Sequence, residues 1–257
     1  MNGAPRPGWV ERGEPAVGVS TRIAVLASAG NHPDLPGPEL LPTRLMRACA
    51  QVLPVTAAGI SYFSGFHHRV PLGASDAQAV LAERLQFTVG EGPCLAAHFQ
   101  DRAVLATADV MAQRWPAFHA ELVMKTAYRA ILSLPIDNED FGGNAAVDLY
   151  FAEPQPAITG GVLQDIQAAT DVVGSLLAAH SGLVDGPSAQ PVWLDTVAAQ
   201  ARSQVWIAMG LINIALRLGP VDSLVVLRSY AYSHDATVDE IAGIIAGGEL
   251  GAEVLAD

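Results

Sequence analysis

Apolar positions in the last quarter of the chain repeat with the period of an α-helix. They recur at spacings of about three, four and seven residues over 192–216, over 220–233 and again after Thr237. Gly219-Pro220 separates the first two segments, and Thr237-Val-Asp-Glu240 has the pattern of a capping box at the start of the third. Because no single helix of this kind buries its own apolar stripe, we predict a compact three-helix bundle over 193–250.

The pattern over 39–183 mixes helix-like segments with short strand-like ones. In chain order, the first predicted elements are a helix over 39–53, a hairpin of strands over 57–63 and 69–74 with its turn at 65–68, and a helix over 76–86. A short helix over 95–99, a strand over 103–107 and a helix over 117–127 follow. The last are a hairpin of strands over 130–136 and 144–151 and a long helix over 158–180. Glu83 and Arg84 are expected on the outer side of their helix. This order predicts an α+β fold in which an antiparallel sheet carries flanking helices.

Three segments outside these two units have the composition of connecting chain. Residues 1–38 are rich in Gly and Pro and are expected to form a flexible N-terminal segment, with a short helix or strand within 21–29. Residues 184–192 carry Gly, Pro and Ser and are expected to link the two units. Residues 251–257 are expected to form an acidic tail.

Charge and cysteine usage limit the classes of function. The net charge is −12, the sequence pI is about 4.9, and Lys125 is the only lysine. Such a chain has no general attraction for nucleic acid or an anionic membrane, so any RNA contact has to be local and driven by shape. Two cysteines, Cys49 and Cys94, do not suggest a disulfide scaffold and fit a reducing cytosol. The chain shows no membrane-length apolar run and no signal-peptide order, so we expect a soluble cytoplasmic protein without a membrane partner.

Several short motifs stand at fixed spacings in the C-terminal unit: Ala208-Met209-Gly210, Leu227-Arg228, Ala231, the capping box and Ile241-Ala242. Together they resemble the ANTAR domain, the RNA-binding antitermination module of bacterial regulators. The resemblance implies RNA hairpins in nascent transcripts as the partner, and the expected RNA-binding residues are Ala208, Gly210, Arg217, Arg228, Tyr230, Tyr232 and His234. The tyrosines could instead pack against neighbouring helices. Two features depart from the family: Met209 replaces the usual Lys or Thr, and residues 195–257 carry three arginines against eight acidic residues.

A glycine-rich stretch in the N-terminal unit, Leu85-Gln-Phe-Thr-Val-Gly-Glu-Gly-Pro-Cys94, is followed by Arg114-Trp-Pro-Ala-Phe118 and Ala146-Val-Asp-Leu-Tyr150. Over about 39–181 these motifs are similar to the GAF domains of actinobacterial GAF–ANTAR proteins. The resemblance implies a sensor of a small molecule or another signal, often dimeric, that holds its ligand over one face of the sheet. The expected ligand-sensing residues are Phe87, Glu91, Cys94 and Trp115.

Each group of residues that could bind a ligand or catalyse a reaction also has a purely structural interpretation. The Gly90–Cys94 loop is either the mouth of the sensor pocket, with Cys94 as a ligand or redox contact, or a tight turn into a helix with a buried cysteine. Cys94 and His98 come with no recognisable orienting group or oxyanion site, so the sequence does not indicate an enzyme. The histidines and cysteines are not at metal-ligand spacing, and the sequence identifies no cofactor. The acidic group of Asp137, Glu139 and Asp140 is either a cation site or a hairpin turn.

The two resemblances together predict a dimeric GAF–ANTAR regulator of transcription antitermination. A signal at the sheet would change helix packing over 158–216 and thereby the way in which two C-terminal units meet RNA hairpin loops. One rival hypothesis is a signalling protein whose acidic C-terminal unit only dimerises or binds a protein partner. The other is an enzyme that uses Cys94 in the sensor pocket for thiol or sulfoxide chemistry.

Overall fold

The computed structural model describes residues 18–64, 68–136, 144–154, 156, 158–180 and 192–256. Some predictions fall outside the described residues. They are the linker over 184–191, most of the turn at 65–68, residues 1–17 of the N-terminal segment, and the 137–143 turn with Asp137, Glu139 and Asp140.

An antiparallel sheet of five strands forms the centre of the N-terminal unit. The strands are β1 (Ala57–Phe63), β2 (Arg69–Ala74), β3 (Val104–Ala106), β4 (Ala130–Ile136) and β5 (Ala145–Phe151). Their order across the sheet is β2-β1-β5-β4-β3. Both predicted hairpins are confirmed, because β1 pairs with β2 and β4 pairs with β5. The β1–β5 pairing, in which Ser61 lies opposite Ala146, joins the two hairpins into one sheet.

Helices cover both faces of the sheet and form the C-terminal unit. They are α1 (Val19–Leu26), α2 (Leu41–Val52), α3 (Ala77–Val89), α4 (Pro93–Gln100), α5 (Ala108–Arg114), α6 (Pro116–Lys125), α7 (Gly160–Ala179), α8 (Val197–Leu216), α9 (Pro220–Ser233) and α10 (Val238–Ala246). Within the described part of the chain, no single helix is long and apolar enough to cross a membrane. The pair of α8 and α9 together reaches such a length and composition, but it is bent by 103° at the break between the two helices.

Strand side chains alternate between two apolar cores, one on each face of the sheet. On one face, Ile60, Leu132 and Leu149 pack with α1, α2 and α7. On the other face, Ile131 and Tyr150 pack with α3, α5 and α6. The predicted α+β arrangement, an antiparallel sheet with flanking helices, is therefore present.

Residues 18–38 differ from the flexible segment that their composition predicts, and over 21–29 the helix, one of the two expected alternatives, is present. They contain α1, and Ile23 of this helix is fully buried in the core shared with α2 and α7. Ser20 Oγ also donates a hydrogen bond to the carbonyl oxygen of Ala168, in α7, at 3.2 Å. The sequence signal was weak because α1 has no side-chain cap, and contacts distant in sequence stabilise it.

Two helices on the other face also differ from the prediction. Helix α3 does not end at Gln86 but continues to Val89, so Phe87 is helical; Asp76 caps its start and Gly90, at a φ of 79°, ends it. Glu83 of this helix was placed on the outer side but is buried. Helix α5 was not predicted, although Thr107 caps it by accepting a hydrogen bond from the amide of Val110.

The C-terminal helices α8, α9 and α10 pack around a shared core that includes Val205, Leu224 and Ile245. The capping box is confirmed: Thr237 N donates to Glu240 Oε2 at 2.7 Å, and Glu240 N donates to Thr237 Oγ1 at 3.3 Å. The acidic tail expected over 251–257 includes a 3-10 turn, Ala252–Ala256, whose Ala252 and Leu255 are buried in the same core.

The N-terminal and C-terminal units share packed contacts. Trp193, in a 3-10 turn at Val192–Asp195, is buried in the core of the sheet and lies edge-on to Tyr62 at 5.6 Å between ring centres. Helix α8 contacts β2, and α9 and α10 both contact α3. A structural change in the sheet unit can therefore reach the C-terminal helices through these direct contacts.

Candidate functional site

A buried arginine joins α8 to the sheet unit. Arg202 is fully buried; its Nη2 donates to Glu83 Oε2 and its Nε donates to Asp239 Oδ1, both at 2.8 Å. Its Nη1 donates to the carbonyl oxygen of Arg69 at 2.7 Å. These three partners belong to α3, α10 and β2. Since a buried charge needs partners of this kind, Arg202 holds the three elements together.

Arg69 and Asp148 of the sheet unit extend this network of buried charges. Arg69 Nε lies 3.3 Å from Glu83 Oε1, and Arg69 Nη2 lies 3.8 Å from Asp148 Oδ2. Asp148, on β5, accepts hydrogen bonds from Gln86 Nε2 at 2.8 Å and from the hydroxyl of Ser133. The chain of charges thus runs from the middle of the sheet to α10.

A cavity of about 300 Å³ opens beside this network. Its walls come from β1, β2, β5, α3, the start of α2 and the first turn of α8. The side chains and backbone that line it are Leu40, Thr43, Gly59, Ile60, Ser61, Pro71, Leu72, Gly73, Ala74, Ala79, Val80, Glu83, Arg84, Asp148, Tyr150, Thr196, Val197 and Ala198. The lining is mostly apolar with a few polar groups, and the volume lies at the lower end of the range for small-molecule sites.

The cavity touches both units of the protein. Thr196, Val197 and Ala198 form the beginning of α8, and Thr196 caps this helix by accepting a hydrogen bond from the amide of Ala199. Glu83, which also lines the cavity, binds Arg202 one turn further along α8. A molecule in this cavity would therefore contact the C-terminal unit directly and also through Arg202.

None of the four residues expected to sense a ligand lines this cavity. Phe87 packs in the core of the C-terminal unit, and Trp115 packs in the core with α5 and α6. Cys94 is buried with Phe63 and Ala146. Glu91 is half-buried in the turn that precedes α4. Their sensing role stays a prediction.

The residues that the sequence reading missed are charged groups in apolar surroundings. Asp148 is the one charged side chain of the strand Ala-Ala-Val-Asp-Leu-Tyr-Phe, all of whose residues are buried. An acid in such a strand signals a buried partner or a site, and this signal could have been used. Glu83 and Arg202 gave no such signal, because their partners lie far away in sequence.

Cys94 and His98 each make other contacts in this structure. Burial raises the pKa of the Cys94 thiol well above its usual value, so the group is a neutral thiol near pH 7. His98 is stacked on Phe63 with 4.0 Å between ring centres, and burial lowers its pKa. The amide of Cys94 donates to Gln86 Oε1 at 3.0 Å. These contacts match the interpretation of a tight turn with a packed cysteine.

Arg228 of α9 lies against the end of α3. Its Nε donates to the carbonyl oxygen of Phe87 at 2.9 Å, and burial, together with the charges of Arg202 and Arg69, lowers its pKa to about 10. A Cβ atom at Gly90 would lie 2.8 Å from Arg228 Nη1. The glycine of the glycine-rich motif therefore leaves space for this arginine.

The remaining residues predicted to bind RNA are divided over the C-terminal unit. Ala208 is fully buried, whereas Gly210 is exposed and a Cβ there would meet nothing. Arg217 is exposed just before α9. At the other end of α9, the rings of Tyr230 and His234 are stacked at 4.0 Å, and Tyr232 is 48% exposed. Tyr230 and His234 line one surface pocket, whereas Tyr232 lines another pocket together with Arg228. Arg217 lies at the opposite end of the helix.

Comparison with known proteins gives a structural likeness for part of the chain. No protein-family model matches the chain, and no curated protein matches it. Among solved structures, the chain is similar to the GAF domain from Acinetobacter phosphoenolpyruvate-protein phosphotransferase, with 11% sequence identity and a TM-score of 0.43. The likeness covers 66% of this chain and 95% of that domain. A likeness of this size supports no conclusion about ligand, partner or activity.

Proposed function

We propose that this protein is a small-molecule-responsive regulator of transcription antitermination. The cavity beside the sheet receives the signal, and the C-terminal helices bind RNA hairpin loops. The observation that carries the proposal is the position of Glu83, which forms part of the cavity wall and also binds Arg202 of α8. The RNA output rests on the ANTAR-like motifs of the sequence.

The signal passes through a short series of contacts. A ligand in the cavity meets Glu83, whose partner Arg202 lies 3.6 Å from the centre of the Phe87 ring. The carbonyl oxygen of Phe87 in turn accepts the hydrogen bond from Arg228. Such a contiguous set of charged and packed groups can carry coupling between two sites.

Arg228 is the point at which this series reaches the RNA-binding surface. While Phe87 holds it, Arg228 cannot turn to a phosphate, and the described form has low affinity for RNA. Occupation of the cavity shifts Arg202 and loosens α9 from α3, so that Arg228 turns outward beside Tyr232, with which it lines a surface pocket. Stacking of unpaired bases on the tyrosines then needs no strongly basic protein, which fits the net charge of −12.

The test of the RNA output uses the full-length protein, short RNA hairpins with unpaired loops and a salt series. We expect binding that weakens with salt. The Tyr232→Ala variant should lose about 1–3 kcal/mol of binding free energy, the usual contribution of one stacked base. Arg217→Ala should also bind more weakly, whereas Arg22→Ala, an exposed arginine on α1, is the matched control and should bind as the wild type does. RNA binding that is unchanged in both Tyr232→Ala and Arg217→Ala rejects the RNA output. So does the absence of binding at high micromolar concentration by both the wild type and the Val80→Phe variant with a filled cavity, which is described next.

The test of the coupling fills the cavity without a ligand. Val80 lines the cavity and is half-buried, so Val80→Phe places the added ring there. We expect this variant to bind RNA about fivefold or more tightly than the wild type, which is the lower end of typical coupling between sites. Val25→Phe, at an exposed position of α1, is the control. Equal RNA affinity in Val80→Phe and the control rejects the coupling.

A second candidate is that the C-terminal unit binds another copy of the protein instead of RNA. The observation that favours it is an exposed apolar row on α8, formed by Ile207, Leu211 and Ile214, the last 78% exposed. Gly210 in the same region would allow close approach of another helix. If RNA binding is absent, and if Ile214→Lys lowers the mass measured by sedimentation equilibrium, this second function replaces the first.

A further inference from the structure

A second cavity, of about 380 Å³, lies between α1, the first turns of α2 and the end of α7. Arg44 and His180 are the titratable side chains that line it, and no acidic side chain among the described residues does so. The apolar part of the lining consists of Ala24, Ala27, Pro36, Pro38, Leu41 and Leu176. The volume lies within the range of small-molecule sites, and the charge at the wall is positive.

The guanidinium of Arg44 is fixed in the cavity wall, but one of its nitrogens has no partner there. Arg44 is only 5% exposed. Its Nε donates to the carbonyl oxygen of Ala27 at 2.9 Å, and its Nη1 donates to those of Leu35 and Gly37 at 2.6 and 2.7 Å. Nη2 has no acceptor among the described residues, and it keeps accessible surface. A molecule in the cavity can therefore accept hydrogen bonds from the two N–H groups of Nη2.

The charge of Arg44 also has no counter-ion in contact with it. Among the described residues, no carboxylate forms an ion pair with Arg44, whereas Arg47, one turn later on α2, pairs with Asp34 at 2.7 Å. Burial lowers the pKa of Arg44, and the charge of Glu39 acts in the opposite direction without forming an ion pair. Because a buried charge without a counter-ion is costly, an anion beside Arg44 would be favourable.

The charge and the apolar lining together select the ligand. A carboxylate oxygen accepts a strong, charge-assisted hydrogen bond from a guanidinium. The apolar side chains favour a hydrocarbon body over a small inorganic anion, which would lose its hydration without gaining apolar contacts. We infer that this cavity binds a small carboxylic acid in its ionised form, with the carboxylate at Arg44 and the hydrocarbon part against Leu41 and Leu176. The site is separate from the cavity beside the sheet, and the proposed function does not depend on it.

The experiment is a ligand-observed NMR titration of the full-length protein, which measures weak as well as strong binding. The probes are benzoate, its neutral analogue benzamide, the cation benzylammonium, and the small anions acetate and inorganic phosphate. We expect benzoate to bind about tenfold or more tightly than benzamide, because a hydrogen bond between two charged groups is stronger than one to a neutral acceptor. Benzoate should also bind more tightly than the other three probes.

A variant that fills the cavity locates the binding. Ala24 lines the cavity from α1 and is half-buried, so Ala24→Phe places a ring in the space that benzoate would occupy. We expect this variant to lose benzoate binding. Val25→Phe, at the neighbouring exposed position of the same helix, is the matched control and should bind benzoate as the wild type does.

A second variant assigns the preference for an anion to Arg44. In Arg44→Met, the preference for benzoate over benzamide should disappear while benzamide still binds, and that retained binding reports that the cavity is intact. If this variant does not fold, the five probes on the wild type, together with Ala24→Phe, decide the inference.

Each other result overturns the inference in a recognisable way. Equal binding of benzoate and benzamide would show an apolar cavity without the contact to Arg44. Acetate or phosphate that binds as tightly as benzoate would show an anion site without selection for a hydrocarbon body. Tightest binding of benzylammonium, unchanged benzoate binding in Ala24→Phe, or binding of no probe also rejects the inference. None of these results bears on the proposed function, which the RNA affinity of Val80→Phe decides separately.

Discussion

The guanidinium carbon of Arg202 lies 3.6 Å from the centre of the Phe87 ring. Arg228 approaches the same ring at 5.1 Å, so the last turn of α3 presents one aromatic ring to arginines from α8 and α9. A guanidinium over an aromatic face is attracted by the ring electrons. Phe87 therefore connects the sheet unit to the C-terminal helices through its contacts with both arginines.

Removal of Arg202 should destabilise the whole chain. The Arg202→Met change leaves Asp239 buried without its cation and removes one of the two arginines paired with Glu83, and breaking a buried ion pair typically costs about 3–5 kcal/mol. The free energy of unfolding from urea denaturation measures the loss. Arg217→Met, at an exposed position, is the control and should change the stability by no more than about 0.5 kcal/mol. A loss below about 1 kcal/mol in Arg202→Met would contradict the buried network.

Gly90 should tolerate no side chain. Gly90→Ala puts a Cβ on a residue with a φ of 79° and within 2.8 Å of Arg228 Nη1. The left-handed conformation alone costs about 1–2 kcal/mol, and Arg228 has to move as well. Gly161→Ala in α7 is the matched control, because a Cβ there meets nothing and alanine favours the helix. Thermal unfolding should show a lower midpoint for the first variant and no loss for the second.

The hydrogen bond between Thr88 and α10 should stabilise the start of α10 in the C-terminal unit. The amide of Val238 donates to Thr88 Oγ1 at 2.9 Å in a buried place. Thr88→Val keeps the shape but leaves this amide unsatisfied, at a cost of about 1–3 kcal/mol. Hydrogen exchange of the first amides of α10, read by mass spectrometry, should become faster. Thr21→Val, at an exposed site of α1, should leave this exchange as it is.

Alkaline pH should destabilise the protein through its buried thiols. Burial raises the pKa of Cys49 from 9.0 to about 12, so the folded state keeps the proton when the unfolded state has lost it. The stability is then complete below about pH 9 and falls as the pH rises towards about 12. The urea midpoint should therefore drop between about pH 8 and about pH 10.5, and the drop should be smaller in Cys49→Ala. An equal drop in both proteins would show that Cys49 does not titrate in this way.

The local structure of this protein could be predicted from the sequence wherever neighbouring residues carry the signal. The capping box at Thr237 and Glu240, the β1–β2 and β4–β5 hairpins and the α7 to α10 helices depend on spacings within a few residues, and they are present. Over 21–29 the sequence left a helix and a strand open and indicated no packing partner, because helix α1 is stabilised by burial of Ile23 against helices far along the chain.

The candidate site was decided by the tertiary structure. Arg202, Glu83 and Asp148 come from separate parts of the chain, and no local pattern relates an arginine of α8 to a glutamate of α3 more than a hundred residues before it. Phe87 and Arg228 were both singled out in the sequence, one for a ligand and one for RNA, but their contact with each other emerged only from the packing of α9 on α3. Periodicity reports which side of a helix is apolar. Which buried charges meet depends on how the helices and the sheet pack together, because a charge leaves water only where the fold supplies its partners.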